Sequence, residues 1–362
     1  MKQTTLTTEN PLALLTVPLL DWYRENARDL PWRYTQDPYR IWVSEIMLQQ
    51  TRVAAVLDYY ARFLDSFPTV ESLAAAPEDL LLKRWEGLGY YSRARNLQKT
   101  AKLVAEQYGG RFPADYDTLL ALPGIGDYTA GAIASAAFGL RIPAVDGNAL
   151  RVAARIADCH DDIALPKTKR MVRDWMHSAM PERTEELRFF NQAVMDLGAT
   201  VCVPNGAPRC GLCPAASFCL ARERGTAPAL PVKAPKKERR REEKTVFLLR
   251  RDGRVALRRR GKTGLLAGLW EFPNAEGALD EERSAAVLAD WGLEPVAWDR
   301  QLSARHVFTH VEWEMTGYSL TVAGDGPEDF LWADAGDLER CAVPSAFAKY
   351  AAEARALLKR PR

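Results

Sequence analysis

The chain has 362 residues, of which 47% are hydrophobic and 27% charged, with a formal net charge of +2. This length indicates two domains or more, and no apolar run approaches the roughly 20 residues that a membrane helix needs. The N-terminus is polar and carries Glu9, so we expect no secretory signal. The net charge of the whole chain does not by itself indicate a polyanion partner. Basic residues are nevertheless concentrated in residues 233–244 and 250–262, although such runs also suit a solvated linker.

The first predicted elements are helices. Residues 1–10 are expected to be disordered, and residues 12–28 have the apolar spacing of an amphipathic helix. Asp37 and Pro38 are typical of the N-cap and first position of the next helix. That helix is predicted to carry the whole segment WVSEIMLQQTRVAAVLDYY.

Glu45 is the only charged residue between Ile41 and Thr51. At helical spacing its neighbours include Ile41 and Leu48. A carboxyl in apolar surroundings loses solvation, which raises its pKa and lets it act as an acid near neutral pH. The same spacing also suits a glutamate on a solvent face or in a helix-packing hydrogen bond.

Residues 70–108 are predicted to form further short helices, with a turn at GLGYYSRARNLQ. In this turn Tyr90 and Tyr91 lie close to Arg93 and Arg95 in sequence. Interleaved aromatic and cationic side chains suit stacking on bases and contacts with phosphates. Buried tyrosines and exposed arginines would give the same pattern.

Two short motifs lie between residues 122 and 151, LPGIGDYTA and VDGNALR. Gly124 and Gly126 allow backbone conformations that other residues rarely adopt, ahead of a helix that begins near Asp127. The free N–H groups and dipole of that helix would attract an anion such as phosphate, although a simple helix–helix turn also fits. Asp146 begins the second motif, where it places a carboxylate at a loop-to-helix junction or serves only as a cap.

Four of the six cysteines lie in one segment, CVPNGAPRCGLCPAASFC. They are Cys202, Cys210, Cys213 and Cys219. Without an export signal, clustered thiols indicate a metal or a cluster rather than disulfides. The irregular spacing does not suit a zinc ribbon, which favours paired CxxC knuckles. Cys159 and Cys341 are interpreted as ordinary buried residues.

The composition changes after Arg224. Residues 226–244 are rich in proline and charge, as in a linker. TVFLLRR and RVALRRR alternate like strands, residues 279–291 are predicted to form a helix, and residues 305–323 further strands. The C-terminal part is therefore predicted to be α/β.

In this order, the motifs resemble the helix-hairpin-helix and Gly-Pro-Asp signature of the endonuclease III superfamily of DNA glycosylases. SEIMLQQT and the cysteine segment resemble its adenine-specific branch, and the likeness runs from Leu12 to about Leu357. The resemblance implies a mostly α-helical glycosylase domain with a [4Fe–4S] loop and a C-terminal α/β Nudix-like domain. The expected bounds are 11–225 with the loop at 202–219, a linker at 226–244, and 245–358.

The resemblance also implies the chemistry. An adenine opposite 8-oxoguanine, or guanine, would be flipped out of the duplex. Glu45 would protonate the adenine ring, and Asp146 would face the cationic sugar that forms as the bond breaks. Bifunctional members have lysine where this chain has Tyr128, and tyrosine cannot form a Schiff base. Base removal without strand cleavage is therefore expected, with Tyr128 assisting near the sugar and Asn148 orienting Asp146 or the attacking water.

Recognition residues are implied in four groups, and the members of the first two would also suit ordinary helix packing. Trp32, Arg33 and Gln192 would line the adenine pocket, where a glutamine amide can both donate and accept. Gln50, Thr51, Leu88 and Tyr90 would fill the gap left by the flipped base and touch 8-oxoguanine. Gly124, Gly126, Asp127 and Thr129 would contact DNA phosphate. The family's Phe-Ser-His loop corresponds here to Phe308, Thr309 and His310. Threonine in place of serine keeps the hydroxyl and adds a methyl group.

Cys202, Cys210, Cys213 and Cys219 would hold the [4Fe–4S] cluster, in a role that presents Arg209, Arg222 and Arg224 to DNA. The gap between Cys202 and Cys210 is one residue longer than the family pattern. The predicted helix at 279–291 lacks the spaced glutamates that hold magnesium in Nudix hydrolases, so the C-terminal domain is interpreted as a reader of the opposite base.

The expected partner is double-stranded DNA containing A opposite 8-oxoguanine or G. The protein is expected to act as a monomer in the cytoplasm, without a membrane. Three alternatives remain at this stage. They are a bifunctional glycosylase/lyase, a nucleotide diphosphate hydrolase centred on residues 245–355, and a non-catalytic iron–sulfur protein that binds DNA.

Overall fold

A computed structural model describes residues 10–234 and 238–359. The predictions of disorder for residues 1–9 and of a linker at 235–237 lie outside the described residues. By its contacts the chain divides into two compact units. The helical unit is Met1–Ala75 with Asn96–Pro235, and the sheet unit is Ala76–Arg95 with Lys236–Arg362. The sequence placed residues 76–95 in the glycosylase domain, whereas their contacts lie with the C-terminal segment.

The start of the second helix confirms the sequence prediction. α1 is Thr16–Asn26 and α2 is Pro38–Leu48. The Asp37 side chain accepts a hydrogen bond from the backbone N–H of Tyr39, and the fixed φ of Pro38 suits the first helical position. The prediction of one continuous helix beyond Leu48 is wrong. The chain breaks at Gln50, whose φ is +58°, and α3 begins after it, at Val53–Ser66.

The other helices with residues in the helical unit follow in chain order. They are α4 (Val70–Ala75), α6 (Ser92–Tyr108), α7 (Tyr116–Ala121), α8 (Asp127–Phe138), α9 (Gly147–Ile156), α10 (Pro166–Ala179), α11 (Thr184–Thr200) and α12 (Leu220–Glu223). Helix α11 packs against α1, α8 and α9, and α2 packs against α8. None of the helices in the described ranges is long and apolar enough to cross a membrane.

Close packing in the helical unit depends on small residues of α8. This helix is rich in alanine and almost fully buried. A Cβ added to Gly131 would lie 2.6 Å from the carbonyl oxygen of Pro143, closer than atoms can approach without a shift. Glycine therefore lets the loop before α9 approach α8. Helices α2, α8 and α9 carry Glu45, Tyr128 and Asn148 respectively.

The sheet unit is built on one seven-stranded sheet. Its strands are β1 (Arg240–Arg251), β2 (Arg254–Arg259), β3 (Trp270–Glu271), β4 (Asn274–Glu276), β5 (Glu294–Val307), β6 (Val311–Ala323) and β7 (Phe330–Ala333). The order is β3-β2-β1-β6-β5, with β4 beside β1 and β7 beside β2. Among the strands of the described ranges, only β1 and β6 pair in parallel, in register from Arg240 opposite Val311. The first strand begins inside the segment that was predicted as a linker.

Both faces of the sheet are covered by helices. Side chains alternate along β1, so that Val246 and Leu248 join one core and Phe247 and Leu249 the other. The helices of this unit are α5 (Glu78–Arg84), α13 (Glu281–Asp290), α14 (Ala335–Arg340) and α15 (Ala348–Leu358). Helix α13 confirms the prediction for residues 279–291.

Candidate active site

A cavity in the helical unit brings together five of the predicted site residues. They are Trp32, Arg33, Glu45, Tyr128 and Gln192. Its remaining walls are largely apolar and include Leu30, Ile41, Leu48, Val53 and Met195. The segment before α2, together with α2, α8 and α11, supplies most of this lining. The fold therefore collects residues that are far apart in sequence, from Arg28 to Met195.

Glu45 is half-buried in the cavity wall. The pKa of its carboxyl is raised to about 7, because burial and the charge of Asp146 raise it by more than the Tyr128 hydrogen bond and the Arg33 charge lower it. The phenol of Tyr128 donates to Glu45 Oε2 at 2.6 Å. The carboxyl can therefore hold or release a proton near neutral pH, as an acid in this position would have to do.

Asp146 has different surroundings. It is the N-cap of α9, and its two oxygens accept from the backbone N–H of Ala149 at 2.8 Å and from Asn148 Nδ2 at 2.7 Å. Burial raises its pKa, and these hydrogen bonds together with the charge of Arg151 oppose that shift. Its charge acts on both Glu45 and Tyr128. The two carboxyl groups therefore lie within electrostatic reach of each other, one against apolar groups and one against donors.

Tyr128 is a hydrogen-bond donor in this site. Burial and the charges of Glu45 and Asp146 raise the pKa of its phenol well above the ordinary value. The phenol therefore stays protonated at physiological pH. A tyrosine at this position also provides no amine next to the two carboxyl groups. The hydroxyl also lies 3.4 Å from the sulfur of Met195.

Asp196 is a buried residue of the site that the sequence did not single out. Its fully buried carboxylate accepts from Arg28 Nε at 2.7 Å and from both terminal nitrogens of Arg33, with Arg33 Nη2 at 2.5 Å. The guanidinium of Arg33, predicted to contact adenine, is thus largely engaged by Asp196. A sequence signal was present, since Asp196 is the only charged residue from Phe189 to Thr200.

Arg151 connects the Asp146 loop to the cysteine segment and was also missed. Its guanidinium donates to Asn148 Oδ1 at 2.8 Å and to the carbonyls of Gly198 at 2.7 Å and Cys202 at 2.8 Å. Asn148 in turn donates to Asp146. Asn148 therefore orients Asp146 and is itself held by a buried arginine.

The predicted phosphate-binding hairpin lies between α7 and α8. Gly124 has φ +77°, and Gly126 is the N-cap of α8 without a side-chain cap. The exposed carboxylate of Asp127 pairs with Arg173 and accepts from Tyr116 at 2.8 Å. The hydroxyl of Thr129 is buried and lies 3.3 Å from Gln49 Nε2. The backbone N–H groups of the first α8 turn are therefore the groups of this hairpin that suit an anion.

The four clustered cysteines line a second, apolar-walled cavity in the helical unit. Arg155 donates to the sulfur of Cys202 at 3.3 Å, and because a guanidinium can only donate, this sulfur is the acceptor. Burial raises the pKa of the Cys213 thiol to about 12. No three metal-binding side chains in the described ranges close around a single ion. In an iron–sulfur cluster each thiolate binds a different iron, so the four cysteines need not meet at a single ion. Their arrangement around one cavity therefore fits a cluster.

The arginines near this segment have partners within the protein. Arg222 donates to the carbonyl of Ala216 at 2.6 Å, and Arg224 pairs with Asp158 at 2.9 Å.

The predicted opposite-base residues fall in both units. In the helical unit, Gln50 and Thr51 lie in the break between α2 and α3, and Gln50 is exposed. In the sheet unit, Leu88 is buried, Tyr90 is 45% exposed with φ +46°, and its hydroxyl shares a 2.7 Å hydrogen bond with Thr309 Oγ1.

Phe308 lies in the loop between β5 and β6. Its ring centroid is 4.8 Å from that of Trp313 and 4.6 Å from that of His306. His310 ends the same loop, and its carbonyl accepts from the backbone N–H of Arg240. The three predicted loop residues are thus held against the sheet, and Thr309 is joined to Tyr90.

Two family models match the chain. Residues 43–178 match "HhH-GPD superfamily base excision DNA repair protein", and residues 245–353 match "NUDIX domain". These matches confirm the predicted order of a helix-hairpin-helix domain followed by a Nudix-like domain.

Individual relatives cover most of the chain. The adenine DNA glycosylase of Homo sapiens is 35% identical over 85% of this chain and 67% of that protein. The adenine DNA glycosylase of Buchnera aphidicola subsp. Baizongia pistaciae is 37% identical over 70% of this chain and 72% of that protein. Among solved structures, a thermostable thymine-DNA glycosylase is similar with a TM-score of 0.53 and 29% identity, covering 59% of this chain and 97% of that one.

Proposed function

The chain belongs to the adenine DNA glycosylase family, and from that premise we propose that it removes adenine mispaired with 8-oxoguanine or guanine. The reaction is hydrolysis of the N-glycosidic bond of a nucleotide flipped out of the duplex. The observation that carries the proposal is the cavity lined by Glu45, whose carboxyl accepts a hydrogen bond from the Tyr128 hydroxyl and has a pKa raised to about 7 with a contribution from the charge of Asp146. Two carboxyl groups in unlike surroundings are the pattern of acid-assisted glycosidic cleavage.

Glu45 acts as the general acid. Its protonated form transfers a proton to the adenine ring, so that the base leaves as a neutral molecule. Tyr128 remains a hydroxyl and holds Glu45 Oε2 in place at 2.6 Å. General acid assistance of this kind increases the rate by about 10²–10⁴-fold. A second group must therefore lower the activation barrier further.

Asp146 supplies that second contribution. Its carboxylate faces the positive charge that develops on the sugar, and Asn148 holds it in one orientation. A charge positioned in advance needs no reorganisation as the bond breaks. Because Tyr128 provides no amine for a Schiff base, the enzyme is monofunctional and leaves the strand intact.

The cavity recognises the base. Trp32 supplies an aromatic surface, Gln192 supplies an amide, and Arg33 contributes its charge while being held by Asp196. The hairpin at Gly124–Gly126 contacts the DNA backbone through the first turn of α8, with Asp127 and Thr129 fixing that turn.

Cys202, Cys210, Cys213 and Cys219 hold a [4Fe–4S] cluster. The lining of their cavity and the Arg155 hydrogen bond to Cys202 support this assignment. When bound, the cluster supplies a structural cross-link among the four thiolates. Arg151 reaches from the same segment to Asn148, so this part of the chain supports the Asp146 loop.

In the sheet unit, the opposite base is read by Leu88 and Tyr90 and by the loop of Phe308, Thr309 and His310. In the helical unit, Gln50 and Thr51 fill the gap left by the flipped base. The 2.7 Å hydrogen bond between Tyr90 and Thr309 supports a common role for two of these segments. The shared hydroxyl pair offers donors and acceptors to a modified guanine. We place the enzyme as a monomer that works on chromosomal DNA in the cytoplasm.

The proposal is tested with duplexes that carry A opposite 8-oxoguanine, G, C or T. Base release is measured after alkali, direct nicking without alkali, and adducts after borohydride. We expect release opposite 8-oxoguanine and G, little release opposite C or T, no direct nicking and no covalent adduct. A stable borohydride adduct would revive a bifunctional lyase, and no release from any duplex would refute the assignment.

A further inference from the structure

We propose that Tyr23 is a positioning residue that fixes the orientation of the Gln192 amide, so that Gln192 presents its NH₂ group to the flipped base. This inference deepens the proposed function and rests on it. Tyr23 is buried on α1, outside every motif that the sequence singled out. It does not line the cavity itself, and it would act only through Gln192.

A continuous chain of hydrogen bonds leads from the protein interior to the cavity. It begins at the buried carboxylate of Asp196, which accepts from Arg33 Nη1 and Nη2. Arg33 Nη1 also lies 3.1 Å from the Tyr23 hydroxyl. That hydroxyl lies 2.9 Å from Gln192 Oε1, and Gln192 lines the cavity.

The direction of each hydrogen bond in this chain follows from the chemistry of Arg33. A guanidinium has only donors, so Arg33 must donate to the oxygen of Tyr23. The phenol proton of Tyr23 then points away from Arg33 and needs an acceptor, which Gln192 Oε1 provides. Burial raises the pKa of this phenol to about 12, so the proton is present at physiological pH.

The opposite amide orientation would be costly. With Gln192 turned over, its NH₂ group and Arg33 would both donate to the Tyr23 oxygen. The phenol proton would then have no acceptor among the groups that the described structure places around it. A buried donor without a partner costs free energy, so the chain selects the orientation with Oε1 on Tyr23.

This orientation decides which part of adenine Gln192 can contact. Within the described structure, Gln192 Nε2 has no protein partner, so it is the group left to bind the base. An N–H donor pairs with a ring nitrogen of adenine and cannot pair with the hydrogens of the 6-amino group. The network therefore makes Gln192 a reader of a ring nitrogen.

The first test compares Tyr23→Phe with Tyr34→Phe. Phenylalanine keeps the Tyr23 ring but removes the proton that fixes Gln192. Tyr34 is a matched control, because it is exposed and its hydroxyl donates to Asp29 at 2.9 Å. We expect Tyr23→Phe to slow single-turnover release of adenine opposite 8-oxoguanine about tenfold and Tyr34→Phe to leave it unchanged. Equal rates for the two variants would overturn the inference.

The second test uses Gln192→Met, which keeps the length of the side chain and removes the amide. In this background Tyr23→Phe should cause no further loss, because the group that it orients is gone. A role of Tyr23 in packing alone would slow both backgrounds equally and would contradict the proposal.

The third test checks the orientation with a duplex in which unsubstituted purine replaces adenine, so that the 6-amino group is a hydrogen. We expect the ratio of wild-type to Gln192→Met rates to be the same on adenine and purine. A ratio that falls to one on purine would show that the carbonyl reads the amino group, and a ratio of one on both bases would show that Gln192 reads neither. Either result overturns the inference. Wild-type protein that releases neither base would instead refute the proposed function.

Discussion

Each unit of the chain contains a glutamate removed from bulk water, and the two have opposite surroundings. Glu271 on β3 is 2% exposed and pairs with Arg258 at 3.1 Å and with Arg260. Glu45 on α2 lines a cavity, its carboxyl accepts a hydrogen bond from the neutral hydroxyl of Tyr128, and its pKa is raised to about 7. The nearest guanidinium, that of Arg33, is already bound to Asp196.

The difference separates structural from chemical use of a carboxyl. A buried carboxylate with two guanidinium partners forms charge-assisted hydrogen bonds that hold its strands together. A carboxyl without a cation of its own keeps a proton that it can transfer. The helical unit therefore maintains an unfavourable environment at Glu45, and such an environment is typical of an active site.

The largest effect is expected for Glu45→Gln. Glutamine keeps the shape of the Glu45 side chain and can accept a hydrogen bond from the Tyr128 hydroxyl, but it has no acidic proton. Adenine release should fall by about 10²–10⁴-fold, measured in single turnover on A opposite 8-oxoguanine. Duplex affinity, measured by titration, should be unchanged. A variant with wild-type release would remove the distinction between Glu45 and Glu271.

Asp146→Asn tests the second carboxyl. Asparagine caps a helix as well as aspartate, so α9 should persist while the negative charge is lost. Release should fall by roughly 10²–10³-fold. The matched control is Asp115→Asn at the N-cap of α7, where the carboxylate accepts from the backbone N–H of Thr118. If both variants lose activity equally, the effect of Asp146 lies in capping and not in charge.

Local signals in the sequence predicted part of this site. Asp37 and Pro38 marked the start of α2, and the isolation of Glu45 among apolar residues indicated its raised pKa. The break at Gln50, where φ is +58°, was not predictable, because no glycine or proline marks it. The hydrogen bond from Tyr128 to Glu45 joins residues that are 83 positions apart in sequence, so no local pattern predicts it.

Asp196 could have been found by the argument used for Glu45, since it is also a lone charge in an apolar helix. Its two arginine partners lie more than 160 residues away, and without them the sequence does not distinguish a paired carboxylate from a protonated one. The contacts between residues 76–95 and the C-terminal segment escaped prediction for the same reason.

The pH dependence sharpens the contrast at Glu45. Because the protonated form is the acid, the rate at sub-saturating enzyme should be constant well below pH 7 and fall about tenfold per unit above it. Tyr128→Phe removes a bond that lowers the pKa of Glu45, so the midpoint should move to higher pH. Tyr116→Phe, whose hydroxyl binds Asp127, should leave the midpoint in place. A midpoint that stays or falls in Tyr128→Phe would contradict this account.

The smallest effect on activity and the clearest effect on stability are expected for Glu271→Gln. Removing this charge leaves Arg258 and Arg260 without their carboxylate, and both are only about a quarter exposed. The free energy of unfolding, measured by urea titration, should fall by roughly 1–3 kcal/mol, while the release rate per folded molecule stays at the wild-type value. Glu243→Gln on the exposed side of β1 is the control and should change stability by less than about 0.5 kcal/mol. If Glu271→Gln instead slowed base release in fully folded protein, the glutamate of the sheet unit would share in the chemistry, and the two carboxyls would no longer differ in kind.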